Sequence, residues 1–423
     1  MQELFGRIQG LALIAFFAVG SCQIMGQEFK IGNSQIVGNP GIPIYPGFPD
    51  GHISFIKKMD GSMVQIWAGY DSYISSGPTF LQQDSVWGCK LTKGVENSFD
   101  NGGAWLYSVH PLDANRWIGF YHAEDHVFGN YVNNEKIAWK SAAQCISLDG
   151  GNSWTKNGQI ITTWESKPDK PTWGGTGDFS VVRDSLHNRW VAFFVCPDGI
   201  GMAESFDEYG APGTWMKFYK GTFCEKGMGG KGSAIDCTKG KKAGGNPSVI
   251  YHIPTKKWLM VYHDWNEKGI YLTTSEDLTH WEEATLILKN PGSPQKIWYP
   301  TLFSNNSDKV CNDELYLAYA QWDDVSLPYR NFKFAPVYYS SLSTPAFNSN
   351  SLLSTSDLVL SDTLSVTLQL YDLTGKCVHN FYTSTILTPG CYPIDANPYI
   401  QKGIFILRAQ LNDKIQSVKI IKL

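Results

Sequence analysis

One pattern of strands occurs five times along this chain, and a repeated unit constrains a fold more tightly than any local signal. Each unit opens on an apolar segment with Gly, Pro, Asp or Asn near its start: Asp50-Gly-His-Ile-Ser-Phe55, Ala104-Trp-Leu-Tyr-Ser-Val109, Gly177-Asp-Phe-Ser-Val-Val182, Gly245-Asn-Pro-Ser-Val-Ile250 and Trp298-Tyr-Pro-Thr-Leu-Phe303. A polar turn follows, then an aromatic-rich strand: Met63 to Tyr70, Arg116 to His122, Arg189 to Cys196, Lys257 to His263 and Glu314 to Gln321. Each second strand runs into acids, at Asp71, Glu124 and Asp125, Asp198, Asp264, and Asp323 with Asp324. Third strands such as Ile200 to Ser205 and Gly269 to Ser275 come next in most units. Five units of three to four antiparallel strands predict an all-β fold, a five-bladed β-propeller over residues 27–345. A β-sandwich is the alternative, but it leaves the recurring order of strand, turn, strand and acid unexplained.

Composition agrees with that architecture. The 423 residues are 43% hydrophobic, enough for a large core, and 41 Gly with 21 Pro supply many turns. Charged residues make up 17%, the formal charge is -4 and no basic block occurs, which argues against nucleic acid as a partner.

The N-terminus reads as a signal peptide over residues 1–26: Arg7, an apolar run from Leu11 to Val19, then small residues. Val19-Gly-Ser-Cys22 resembles a bacterial lipobox, which would anchor the chain at Cys22. The Met25-Gly26-Gln27 junction reads as an ordinary cleavage site and is preferred. No later segment is apolar for the roughly 20 residues that a membrane helix needs. The expected location is secreted or at the cell surface. Of nine cysteines, Cys224 with Cys237 and Cys377 with Cys391 are candidate disulfides in an exported chain, whereas Cys145 and Cys196 read equally well as buried thiols. No Cys or His spacing suits zinc, so no cofactor is required; a structural or mouth-bound cation such as calcium is compatible.

In a propeller, the starts of first strands and the ends of second strands share one rim. That places Asp50, Asp178 and Asn246 near the axis, ringed by Asp71, His122, Glu124, Asp125, His126, Asp198, His263, Asp264 and Asp323. Tyr70, Tyr121, Trp173, Trp265, Trp298, Tyr299 and Trp322 fall on the same rim. Carboxylates among aromatic platforms suit a sugar, whose C–H faces stack on rings and whose acetals paired acids cleave. His122, Glu124, Asp125 and His126 would be costly to crowd together unless paired, so they form either a catalytic or ion-binding group or a hydrogen-bonded plug. Asp50 reads equally as a turn-former before Gly51. Of six arginines, Arg116, Arg183 and Arg189 map to the opposite rim and Arg330 alone suits the mouth, which favours a neutral sugar over a carboxylated one. The Gly/Lys-rich segment from Cys224 to Gly245 is expected to be a lid or a solvated loop.

Ser147-Leu-Asp-Gly-Gly-Asn-Ser-Trp154 matches the Asp-box of sialidases and other propellers, with structural roles for Asp149 and Trp154. Residues 40 to 345 resemble the five-bladed glycosidases, glycoside hydrolase family 43 and its relatives. The resemblance rests on Phe48-Pro-Asp50-Gly-His, Gly177-Asp-Phe-Ser-Val-Val-Arg-Asp184 and Ser275-Glu-Asp-Leu-Thr-His-Trp281. It implies Asp50 as general base, Asp178 as the orienting acid, although on the third blade rather than the second, and a Glu as general acid. Glu124 is assigned that role, with Glu204 as alternative. His122, Asp125, His126, Trp173, Asn246, His263, Asp264, Trp298, Tyr299 and Trp322 would bind a neutral polysaccharide or oligosaccharide. A non-catalytic glycan-binding propeller is the alternative.

After a Ser/Asn/Thr-rich linker, residues 346–423 are expected to form a small β-sandwich. Leu368-Gln-Leu-Tyr-Asp-Leu-Thr-Gly-Lys376, Tyr399 to Arg408 and Ser417 to Lys422 resemble the type A sorting domain of the type IX secretion system of Bacteroidetes. This implies the outer-membrane secretion machinery as a partner; a carbohydrate-binding module is the alternative.

Overall fold

The computed structural model describes residues 28–36, 49–69, 71–88, 91–132, 137–238, 245–264, 268–312, 314–326, 330–340, 352–353, 357–360, 364–372, 374, 376–387, 390–394, 403–411 and 414–422. The expected signal peptide, Cys22, Tyr70, Cys89 and Trp265 lie outside them. The chain divides into one compact unit of Phe29–Tyr339 and a second that takes in Ser340–Leu423.

The first unit is a five-bladed propeller, one antiparallel sheet per repeat. Blade 1 is Ser54–Lys57, Met63–Ala68, Ser72–Gly77 and Ser85–Gly88. Blade 2 is Gly103–Pro111, Trp117–Asp125, Trp139–Ser147 and Thr155–Ile161. Blade 3 has five strands, Phe179–Asp184, Arg189–Cys196, Gly199–Ser205, Met216–Tyr219 and Thr222–Lys226. Blade 4 is Gly245–His252, Lys257–His263, Gly269–Ser275 and Thr285–Lys289. Blade 5 is Lys296–Ser304, Leu315–Trp322 and Asn331–Ser340, completed by Glu28–Ile31 from the other end of the unit. Among the described residues no helix is long and apolar enough to cross a membrane.

The near-continuous apolar runs of the second strands follow from this stacking, because each blade is covered on both faces. Trp190, Ala192 and Phe194 pack towards Phe120 of blade 2, whereas Val191 and Phe193 pack towards Met260 and Tyr262 of blade 4. A sandwich would have buried one face only.

Around the axis, hydroxyls on the first strands fasten four of the five blades to the next; Ser180, at the same position in blade 3, has no hydrogen-bond partner for its Oγ among the described residues. Ser54 Oγ accepts from Val109 N at 2.9 Å and Ser108 Oγ from Val181 N at 3.0 Å. Ser248 Oγ accepts from Leu302 N at 3.0 Å, and Thr301 Oγ1 from Ile53 N at 3.2 Å, which closes the ring. In four of the five repeats the recurring Ser/Thr is therefore a clip between blades. The last seam is reinforced from the turn after Lys296–Ser304. Lys57 N donates to Asn306 O, and buried Asp308 accepts from Phe55 N at 3.1 Å and pairs with His52 at 3.0 Å and Lys309 at 2.6 Å.

Turns between third and fourth strands share one construction. In the Asp-box, Asp149 Oδ1 accepts from Ser153 N and Ser147 Oγ, and Trp154 donates to Gly151 O. Asp277 and Trp281 do the same in blade 4. Blade 3 holds a third version that the motif search missed because its spacing is longer: Asp207 accepts from Tyr209 N and Ala211 N, and Trp215 donates to Gly210 O.

Two expectations are corrected. Cys224 is an exposed thiol and Cys377 a half-buried one, so neither Cys224 with Cys237 nor Cys377 with Cys391 is bridged. The described part of the 224–245 insertion is neither lid nor loose loop. It completes the fifth strand of blade 3 and returns so that Ile235 N donates to Ile200 O and Thr238 Oγ1 accepts from Ile200 N.

The second unit pairs Leu352–Leu353, Asp357–Leu360 and Gly390–Pro393 in one sheet, and Leu364–Asp372, Cys377–Leu387, Gly403–Leu411 and Lys414–Lys422 in another. Leu358, Val366, Leu368, Leu370, Leu407 and Leu411 form their common core.

Ser54 is fully buried, so Ser54→Ala leaves the Val109 amide without its acceptor. The expected cost is about 1–3 kcal/mol of unfolding free energy, read by urea unfolding. Burial pushes the Asp308 carboxyl up, but Lys309 and His52 outweigh it and hold it at about 2, against 3.8 ordinarily. Its stabilisation is complete above the unfolded value and lost as pH falls towards 2. The urea midpoints of the wild type and Asp308→Asn are therefore expected to differ at about pH 5, to approach each other as pH falls towards 2 and to converge only below it.

Candidate functional site

Several of the residues expected at one rim meet there, whereas Asp125 and Tyr121 do not and Tyr70 and Trp265 lie outside the described residues. Three of them enter their blades with left-handed backbone, Asp178 at φ 52°, Asn246 at 49° and Tyr299 at 55°, a conformation that costs energy for any residue but glycine and is most unusual for tyrosine. It recurs two residues before Ser180, Ser248 and Thr301 of the repeat in blades 3, 4 and 5.

Asp50 enters from blade 1. Its amide donates to Ala68 O at 3.1 Å, and its Oδ1 accepts from Arg330 at 2.9 Å. The Arg330 guanidinium lies 4.3 Å from the Trp322 ring centre and 5.1 Å from that of Tyr299, and it also donates to Pro49 O. Trp322 and Tyr299 thus hold the arginine that holds Asp50, rather than offering those faces to a sugar. Tyr299 also hydrogen-bonds to the Asp50 carboxylate; burial, chiefly, keeps its phenol protonated.

Blade 2 supplies the imidazoles. The Asp178 N–H points at His122 Nδ1 across 3.3 Å, leaving His122 Nε2–H to face Glu124 Oε1 at 3.2 Å; His126 Nε2 reaches Glu124 Oε2 at 2.9 Å. Burial pushes the Glu124 carboxyl up, yet the two imidazole hydrogen bonds outweigh it and hold the group at about 2. Glu124 is therefore ionised, the wrong state for the proton donor expected from the sequence, and it accepts the hydrogen bonds of both imidazoles. The alternative acid, Glu204, is bound to Arg189 at 2.7 Å beside the turn after the first strand of blade 3, away from the mouth.

Asp178 is buried, with Lys140 Nζ at 3.4 Å and His122 Nδ1 at 3.9 Å. Burial raises its pKa, but the charges of Lys140 and His122 outweigh that and lower it overall. The 3.9 Å and 3.2 Å contacts on either side of the His122 ring put Asp178 and Glu124 at most roughly 9 Å apart, within the range of glycosidase carboxyl pairs.

On blade 4, His263 is buried beneath Gly245 and stacked on Trp298, with ring centres 5.3 Å apart and planes at 9°. Burial depresses its pKa to about 3, so it is neutral. Asn246 is 2% exposed, and its Oδ1 has no hydrogen-bond donor among the described residues. Asp264 is buried, and its amide donates to Gly269 O. Trp173 is 58% exposed, the most open of the expected platforms.

Two expected rim residues serve the scaffold. Asp125 binds Asn101 Nδ2 at 2.6 Å, Val127 N at 3.0 Å and the Lys167 ammonium. Tyr121 is fully buried, with its hydroxyl on Asp100. Conversely, Tyr107 and Lys140 were not foreseen as site residues. Lys140 opens the third strand of blade 2, which leaves from the mouth, so strand polarity alone could have placed it. Arg116, Arg183 and Arg189 do lie by first-to-second-strand turns on the far rim. Among the described residues no group of three or more His, Cys, Asp or Glu side chains is arranged to hold a metal.

No family model and no curated protein matches the chain. Similar solved structures include a thermostable family-43 glycoside hydrolase, with 13% identity over 70% of this chain and 93% of that one and a TM-score of 0.43. An endo-arabinase from Bacteroides thetaiotaomicron has 12% identity over 70% and 97%, TM-score 0.43. A family 117 glycoside hydrolase from the marine bacterium Zobellia galactanivorans has 8% identity over 76% and 92%, TM-score 0.43. At these scores the likeness carries no weight for what the site does; that rests on the side chains gathered there.

Lys140→Met strands a buried carboxylate on Asp178. It is expected to cost about 3 kcal/mol at pH 7, and Lys140→Met with Asp178→Asn to recover most of the loss, as measured by denaturant unfolding.

Proposed function

We propose that the mouth of the propeller binds a neutral polysaccharide or oligosaccharide and hydrolyses a glycosidic bond. The observation that carries this reading is that Asp50, Glu124 and Asp178, from three successive blades, are joined through the stacked rings of Tyr107 and His122, which hydrogen-bond to the Asp50 carbonyl, the Glu124 carboxylate and the Asp178 amide. Such a cluster offers acid, base and orienting groups within one sugar's reach. Asp50 is the base, more open than its neighbours with a side chain 42% exposed. Asp178 orients His122, and ionised Glu124 accepts from both imidazoles and so fixes the two rings at the mouth. Trp173, the exposed platform, supplies stacking surface, whereas the Trp298 ring is covered by His263 and by Lys296 Nζ at 3.8 Å. The three mouth carboxylates are each matched by a cation or an imidazole N–H, which suits an uncharged ligand.

That same saturation favours a second reading, a glycan-binding propeller without catalysis, because Asp50 is already bound to Arg330. A panel of polysaccharides assayed for released reducing sugar separates the two. Hydrolysis predicts release by the wild type, at least a hundredfold loss in Asp50→Asn and in Glu124→Gln, and unchanged unfolding midpoints. Binding isotherms without release would establish the second reading. Wild-type activity in both variants would refute the residue assignment.

Export belongs to the same proposal. The apolar leader and the Tyr371-Asp372 and Lys419-Ile-Ile-Lys422 elements support a chain secreted or displayed at the cell surface through the type IX route. In the folded unit Asp372 Oδ1 accepts from Thr374 N and Lys376 N, so that motif builds a turn.

A further inference from the structure

Tyr107 lies where the groups of the mouth meet. The pairing of Gly103–Pro111 with Trp117–Asp125 slips by one residue between Leu106 and Ser108, so Tyr107 is the extra residue of a β-bulge. Bulges re-aim side chains, and this one directs a ring out of the ladder towards the axis. The ring is buried. It stacks on His122 with centres 5.1 Å apart and planes at 28°, and meets Phe179, the neighbour of Asp178, at 5.5 Å. It also lies against Gly51, where a Cβ would come within 2.3 Å of it and φ is +139°. Its hydroxyl donates to Asp50 O at 3.1 Å. One side chain thus touches the backbone of Asp50 on blade 1, the imidazole on blade 2 and the residue after Asp178 on blade 3.

We propose that Tyr107 is a positioning residue that fixes the Asp50 carboxylate relative to the His122–Glu124 pair. The inference rests on the glycosidase reading of the mouth. Asp50 stands before the first strand of its blade, so its placement depends on what its backbone is fastened to. The fastenings are Ala68 O behind it, Arg330 on its carboxylate and Tyr107 beneath it. A displacement of about 1 Å between reacting groups costs on the order of a hundredfold in rate, so a hydroxyl that sets this register is visible in turnover. Burial and the charges of Asp178 and Asp50 push the phenol well above its usual range, so it remains a donor at every working pH.

The test is Tyr107→Phe, which keeps the ring and removes the hydroxyl, on whichever glycan the wild type cleaves. The expected result is a kcat lower by about tenfold to a hundredfold, with KM within twofold and an unchanged unfolding midpoint. A kcat within twofold of wild type, or a loss carried by KM, overturns the proposal. The histidine ring resonances give a readout that needs no activity. His122 should shift in Tyr107→Leu and stay in place in Tyr107→Phe, and no shift in Tyr107→Leu overturns the contact itself. Absence of sugar release by the wild type, with the His122 shift observed, sinks the reading of the mouth and leaves the Tyr107 contact standing.

Discussion

The hydrogen bonds from Ser54, Ser108, Ser248 and Thr301 to the next blade's inner strand are the contacts on which the site depends. Blades meet mainly through interdigitated apolar side chains, which attract without fixing register. A hydroxyl bonded to one backbone amide does fix it; Ser248 and Thr301 lie two residues beyond Asn246 and Tyr299, and Ser54 four beyond Asp50. The positions of Asp178, Asn246 and Tyr299 are therefore set by their neighbouring blades as much as by their own. Their left-handed backbone persists because the clip on one side and the buried core on the other allow no relaxation.

Charge at the mouth follows one rule: no carboxylate of the central cluster is left to itself. Arg330 answers Asp50, Lys140 answers Asp178, and two imidazoles answer Glu124. Burial would otherwise push Asp178 and Glu124 towards their neutral forms. The consequence for chemistry is that the acids, each held by its partner, fix the geometry of the cluster.

Much of this was legible in the sequence, for identifiable reasons. The five repeats were visible because each blade needs apolar strands covered on both faces, and strand polarity then assigned Asp50, Asp178, Asn246 and Glu124 to one rim. Tyr107 was hidden because a bulge breaks the alternation by which side chains are assigned to faces. The ionisation of Glu124 was hidden too, since it depends on two nitrogens lying within 3.2 Å of its oxygens and not on their spacing along the strand. Arg330 was weighed only as a ligand for a charged sugar, when its partner is the protein's own Asp50. The blade 3 turn around Asp207 escaped because what it conserves is a set of bonds to turn amides, with a longer stretch before its tryptophan.

The outer strand of blade 5 comes from Glu28–Ile31, and its partner Asn331–Ser340 lies some three hundred residues later. The ring cannot close until nearly the whole propeller has been made, so the final pairing is the most non-local in the unit and arrives last. Until then an unpaired edge stands open beside strands already formed, the state in which a β-rich chain is most prone to join another. A chain synthesised from its N-terminus must therefore be kept from premature association over almost its entire length. Once closed, the circle has no free end from which a single blade can peel away.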